Sequence, residues 1–210
     1  WGSLTLGRQM TAALLPQLLV DPWFWDNTTN GFAAGTGYIG NLWYNDAATY
    51  AYDAGAFSFT AQVAAKDANP GWSGTPHKTP YSFALGYAPG PWQLRFGYEK
   101  PADGRSKLAT LFGGYDFGAF TLNAMVAGGT DHTDASVRTW ALSSVVPAGT
   151  GQFRASFGHY KRADVVASQK LALGYHHFLS KRTSVYTTFA HDSKAPTRKN
   201  GYEVGLQHVF

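Results

Sequence analysis

The stretch "YSFALGYAPGPWQLRFGYE" (81–99) decides the fold. Taken two residues at a time, Tyr81, Phe83, Leu85 and Tyr87 share one face, and beyond "APGP" (88–91) Trp92, Leu94, Phe96 and Tyr98 continue it. The other face holds Ser82, Ala84, Gly86, Gln93, Arg95, Gly97 and Glu99. A period of two belongs to β-strands, whose successive side chains point to opposite sides. The Pro-Gly-Pro break is turn chemistry. The stretch therefore predicts an antiparallel hairpin with one uncharged, apolar face.

The pattern recurs along the chain and predicts twelve strands, near 2–9, 43–52, 56–66, 80–88, 91–99, 107–116, 118–127, 137–146, 151–161, 168–178, 182–191 and 200–210. Alternation is less clean in 107–116, 137–146 and 182–191. Nearly all are 9 to 11 residues long, the length a tilted strand needs to cross a bilayer, where ordinary strands average about 5–6. Tight connections ("DAG" 53–55, "APGP" 88–91, "DFGA" 116–119, "PAGTG" 147–151, "LSKRT" 179–183) take turns with longer ones at 10–42, 67–79, 100–106, 128–136, 162–167 and 192–199. Such alternation predicts an all-β, antiparallel up-and-down transmembrane barrel, one domain over 1–210, with turns on one side of the membrane and loops on the other.

Orientation follows from charge. The apolar rows continue through Phe57, Phe59, Phe120, Leu122, Phe153 and Leu171 without a single charged member. Lys or Arg on the lipid face near mid-membrane costs about 2–4 kcal/mol, so a lipid-facing row must exclude them. The alternate row carries Ser58, Thr60, Gln62, Lys66, Gln93, Arg95, Glu99, Arg154, Lys170 and Glu203. It is too sparsely charged for a soluble surface and fits a water-filled lumen.

Composition removes other classes. Charged residues make up 14% and aromatics 16%, against the profile of a disordered chain. The absence of Cys excludes disulfides, Cys-based zinc sites and thiol nucleophiles. The longest apolar run, "TAALLPQLLV" (11–20), is too short and too interrupted for a spanning helix. No signal peptide is visible. A net charge of +4 without a dense basic run gives no nucleic-acid surface.

"GSLTLGRQ" (2–9), "YDFGAFTLNAMVAGG" (115–129), "LALGYHHFLSKRTSVYTTFAH" (171–191) and "VGLQHVF" (204–210) together resemble the Gram-negative general porins, above all their betaproteobacterial and neisserial branch. The resemblance covers essentially the whole chain. It implies an outer-membrane pore for passive diffusion of small hydrophilic solutes, surrounded by lipid and lipopolysaccharide, without a cofactor or metal, and assembled as a homotrimer. It also implies a sixteen-stranded barrel of which these twelve are the fifth to sixteenth; a complete twelve-stranded barrel starting at Trp1 is the alternative. The terminal Tyr202, Val204, Leu206, His208 and Phe210 resemble the signal read by the outer-membrane assembly machinery.

A pore selects by width and by charge at its narrowest point. The long segment 10–42 is the expected constriction loop, and the family folds it into the lumen. It carries Asp21 and Asp26, with Trp23, Phe24 and Trp25 suited to packing on the wall or to an apolar slide for ligands. Arg95 and Arg154 face the lumen by parity. Arg8 matches a family arginine at the loop's start, yet parity groups it with Leu4 and Leu6, so a bulge near Gly7 is needed to aim it inward. Trp43 stands where relatives often carry Arg ahead of the Asn-Asn pair that "WYNDAATY" (43–50) resembles. The small positive excess implies a weak anion preference. "GTGYIG" (35–40) fits the dinucleotide pattern outside its strand–helix context. "DHTD" (131–134) could hold a cation, and "NTT" (27–29) is a bare sequon. Adjacent His176 and His177 point to opposite faces. Competing readings are a substrate-specific channel, an outer-membrane phospholipase, for which Ser156 and His159 differ in parity, and a soluble ligand-binding barrel.

Overall fold

The computed structural model describes residues 1–25, 42–69 and 77–210. Asp26, "NTT" and "GTGYIG" lie outside the described residues. The strands are β1 (Ser3–Met10), β2 (Trp43–Ala54), β3 (Phe57–Ala64), β4 (Tyr81–Tyr87), β5 (Trp92–Lys100), β6 (Lys107–Asp116), β7 (Thr121–Thr130), β8 (Ser136–Ala148), β9 (Gly151–Arg162), β10 (Val165–Phe178), β11 (Thr183–Asp192) and β12 (Asn200–His208). Each pairs antiparallel with the next in one sheet, of which β1 and β12 are the two ends. A 3-10 turn (Ala12–Leu14) and a short helix α1 (Leu15–Val20) lie between β1 and β2. No described helix is long and apolar enough to cross a membrane, which says nothing of the strands.

Register puts the apolar rows opposite one another. In β4–β5, Phe83 faces Tyr98, Leu85 faces Phe96 and Tyr87 faces Leu94. Their rings touch across the ladder, with Phe83 and Phe96 centroids 5.9 Å apart and the Phe57 and Tyr87 rings stacked at 4.5 Å. Such cross-strand pairs stabilise a sheet by roughly 0.2–1 kcal/mol each. This face is bare: Leu85 is 48% exposed. The polar row is the covered one, with Ser82 at 2% and Gln62 at 4%. The molecule is inside-out relative to a water-soluble protein, as hydrocarbon outside and a polar interior require.

The inner face is not polar throughout. Val20 of α1 packs against Leu108, Phe112, Met125, Val137 and Ala141 of β6, β7 and β8. Burying a side chain of this kind contributes about 1.5–3 kcal/mol. Strands 107–116 and 137–146 thus carry apolar residues on both faces, one for lipid and one for the loop, which is why their alternation is imperfect.

One expected connection is different. The segment 162–167 is not a long loop: β9 runs to Arg162 and β10 starts at Val165, joined by Ala163 and Asp164, both at positive φ (48° and 63°). Two consecutive left-handed residues make the tight turn that matches strand twist. Short and long connections therefore do not alternate strictly.

"DHTD" folds into a self-satisfied turn. Asp131 accepts from the Thr133 hydroxyl (2.7 Å), the Thr133 and Ala135 backbones (2.8 and 3.2 Å) and Arg162 Nε (2.6 Å), while Asp134 lies 3.7 Å from Arg105. Burial pushes the Asp131 carboxyl up, but these donors outweigh it and hold it below the usual range. Both carboxylates are engaged by protein cations, and no metal-binding cluster occurs among the described residues.

Candidate functional site

The segment after β1 is pinned to the inner wall at its start. The Ala12 backbone N–H donates to Ser82 Oγ (3.0 Å) and Gln62 Oε1 (3.3 Å). Gln62 Nε2 donates to the Met10 carbonyl (3.0 Å) and Thr49 Oγ1 (2.9 Å), and Ser82 Oγ donates to Gln62 Oε1 (3.0 Å). The Thr11 hydroxyl hydrogen-bonds Glu99. Gly97 lets the chain lie on β5: a Cβ there would sit 3.0 Å from Ala13 Cα. Gln62 and Glu99, expected to line the pore, thus lie on the inner face but beneath the loop. Gln62→Leu takes their partner from two part-buried acceptors, the Met10 carbonyl and the Thr49 hydroxyl, and from the buried Ser82 donor. Each such loss costs about 1–3 kcal/mol, so stability in denaturant is expected to fall by at least that much.

The segment then crosses the inner face. After α1, Asp21 caps a tight turn, accepting from the Trp23 and Trp25 backbones at 3.0 and 3.1 Å. Phe24 and Trp25 take positive φ values of 51° and 61°, a conformation L-residues adopt at a cost. The turn throws Trp23 against Ala172 and Ala190 of β10 and β11, where it is buried. Gly174 provides the seat: a Cβ there would meet Trp23 Cζ2 at 3.0 Å. A segment anchored on β3–β5 at Gln62, Ser82 and Gly97 therefore reaches β10–β11 and bridges the concave wall.

Arg154 on β9 stands where the bridge lands. Its inner-face neighbour Gln152, with the amide oxygen turned to the guanidinium, accepts from Arg154 Nη2 and Nε at 2.6 and 2.8 Å. Asp21 and Arg154 interact electrostatically. Burial pushes the Asp21 carboxyl up, against the Trp23 and Trp25 backbone donors and the Arg154 charge. A cavity of about 480 Å³ opens here, its lining including Phe24, Gln93, Tyr115, Asn123, Gln152 and Arg154. A second, of about 290 Å³, lies against Trp23, Arg154, His176 and Tyr186. The His176 ring stacks on Tyr186 (5.0 Å), whose hydroxyl donates to Glu203 Oε1 at 2.6 Å.

Other expected residues fall elsewhere. Arg8 keeps to the outer face. The register shift beside Gly7 is present, but it sets Asn45 and Asp46 of β2 against Arg8 alone. The extra residue is on the partner strand, so β1 keeps its parity and Arg8 stays with the exposed Leu6 and Met10. Its guanidinium sits 5.5 Å from the Trp43 ring centroid, a cation–π contact. Arg8 thus does not line the lumen. Arg95 is on the inner face, its Nη1 donating to Ser58 Oγ at 2.8 Å, away from the Asp21–Arg154 cavity. Lys66 lies beyond the end of β3, exposed, where strand parity no longer applies. Lys170 is inner-facing opposite Asp192. On β12, Tyr202, Val204 and Leu206 form an exposed outer row, and His208 meets Phe210 edge-on at 4.9 Å. Ser156 is buried on the inner face while His159 stacks on Trp140 outside.

Gln152, Tyr186 and the Val20 seat escaped the sequence reading. For the seat the signal was present, in the apolar residues of 107–116 and 137–146 that broke the alternation. Gln152 and Tyr186 carry no such mark, since an inner-row amide or phenol is ordinary in any strand.

A sequence-family model described as Gram-negative porin matches residues 1–195. A search of curated proteins finds no match. Among solved structures, the anion-selective porin of Comamonas acidovorans is similar, with a TM-score of 0.80 and 18% identity over 100% of this chain and 74% of that one. A loop-deletion mutant of OmpT, an outer membrane protein of Vibrio cholerae, gives a TM-score of 0.75 and 12% identity over 99% of this chain and 76% of that one. A mutant of Rh. blastica porin gives 0.76 and 13% over 100% and 73%. At these identities the likeness concerns the fold, while the family match spans most of the sequence. With its apolar face outward and a loop bridging its polar concave wall, the chain belongs to the Gram-negative porin family, a channel of the outer membrane for passive diffusion.

Proposed function

We propose that this porin favours small anions weakly and that Arg154 is the residue responsible. The observation that carries this is that Arg154 lines the same cavity as a carboxylate already engaged. Asp21 is buried and accepts two backbone donors, so it offsets the guanidinium without closing its open side. Arg154 lines both cavities at the landing of the loop. A net charge of +4 acts in the same direction. The Comamonas acidovorans porin, which shares the fold, is described as anion-selective. Arg95 and Lys170 add positive charge along the wall, and Glu203 is tied to Tyr186. Asp26 remains part of the proposed constriction loop, with Trp23, Phe24 and Trp25.

Further readings go with it. The open edges of β1 and β12 need partners in hydrocarbon, where an unpaired backbone costs several kcal/mol per group, so the twelve strands are proposed to be part of a larger barrel, of sixteen strands by resemblance to the family. The homotrimer and the assembly-signal role of Tyr202, Val204, Leu206, His208 and Phe210 rest on resemblance to the family. The opposite facing of Ser156 and His159 supports a channel without catalytic activity.

The test is the reversal potential of single channels in a KCl gradient, read against pH. At neutral pH the sign should be that of chloride. Because the Asp21 carboxyl is held above its usual range, acidification protonates it before ordinary aspartates. Loss of that negative charge leaves Arg154 less compensated, so anion preference should rise as pH falls through this window. Asp21→Asn should show the acid-state preference at all pH values. Cation selectivity at neutral pH would refute the proposal.

A further inference from the structure

We propose that the larger cavity beside Arg154 is a holding site for aromatic carboxylates, which deepens the anion reading above and rests on it. Phe24 is 62% exposed although it sits on the bridging loop, inside the concavity. Its backbone is held at φ 51° by the Asp21 turn, with the Phe24 N–H donating to the Asp21 carbonyl at 3.0 Å. Strain held by surrounding structure points to a role for the residue it presents. The ring lines the same cavity as Arg154.

The chemistry of the lining selects the ligand. Arg154 is a planar fork suited to a carboxylate. Its Nε and Nη2 are oriented by Gln152, and Asp21 competes little because its oxygens serve backbone donors. Phe24 supplies a ring face for an apolar body, and Gln93 and Asn123 place amides in the lining for polar substituents. The volume of about 480 Å³ falls within the roughly 300–1,000 Å³ of small-molecule sites. A halide or acetate would use the guanidinium alone. An aromatic acid would use both halves of the cavity.

The protein in planar bilayers, carrying a chloride current, is titrated with sodium benzoate and, separately, sodium acetate at constant ionic strength. Benzoate should slow the current at concentrations roughly tenfold lower than acetate, the scale of one ring contact. Phe24→Ala should erase that gap and Phe24→Tyr should retain it; the ratio is read within each variant, so changes in basal conductance cancel. Equal action of the two acids, or a gap that survives Phe24→Ala, would overturn the holding site. A cation-selective reversal potential in KCl alone would remove the anion reading beneath it, whereas anion selectivity without a benzoate gap would remove the holding site only.

Discussion

Arg154→Glu is expected to invert the charge preference of the channel. The substitution moves two units of charge at the landing of the loop. An ion passing about 5 Å away in water feels about 0.8 kcal/mol from each unit, with opposite sign for anion and cation. Salt at physiological strength screens part of this over a Debye length of about 8 Å. The permeability ratio of cation to anion should therefore rise roughly tenfold or more. Arg8→Gln should leave the ratio unaltered, because Arg8 sits on the outer-face Trp43 ring. Arg95→Gln should act weakly, because Arg95 is hydrogen-bonded to Ser58 and lies outside the Asp21–Arg154 cavity. The three arginines look equivalent in a count of charge, and reversal potentials separate them.

Leu85→Arg should be a costly change on the outer face of the wall. Leu85 faces Phe96 near the middle of the β4–β5 ladder, on the bare apolar face. A lipid-facing arginine at that depth costs about 2–4 kcal/mol. Thr60→Lys, on the inner row opposite Ala84, meets water and should change stability by no more than about 0.5 kcal/mol. Denaturant unfolding from lipid vesicles measures both. The contrast matters more than either value, since a soluble barrel with its apolar face inside would reverse the order.

Much of the fold was legible because the bilayer imposes one rule on every strand. Hydrocarbon forbids charge on one face, so the rows through Phe59, Leu85, Leu94 and Leu122 read directly as outer wall. Strand number and order followed from turns such as "APGP". The connection at Ala163–Asp164 was misread because neither residue is glycine, and the left-handed pair carries no compositional mark. The site was less legible, because it depends on a contact between distant segments. Arg154 could be assigned to the lumen by parity, but its meeting with Asp21 depends on where α1 seats, and that is set by Val20, Phe112 and Met125 together. Arg8 shows the limit of a bulge argument: the extra residue can fall on either strand, and here it fell on β2. Gln62 and Glu99 were placed on the right face, yet a face does not say whether water or a folded loop covers it.

Spin labels read the facing of the two rows directly. The chain has no cysteine, so single cysteines at Ser58, Phe59, Thr60 and Leu85 can each carry a nitroxide in vesicle-reconstituted protein. Labels at Phe59 and Leu85 should collide with membrane-dissolved oxygen, and those at Ser58 and Thr60 with a water-soluble nickel chelate. The reverse pattern, with oxygen reaching Ser58 and Thr60 and the chelate reaching Phe59 and Leu85, would contradict that facing.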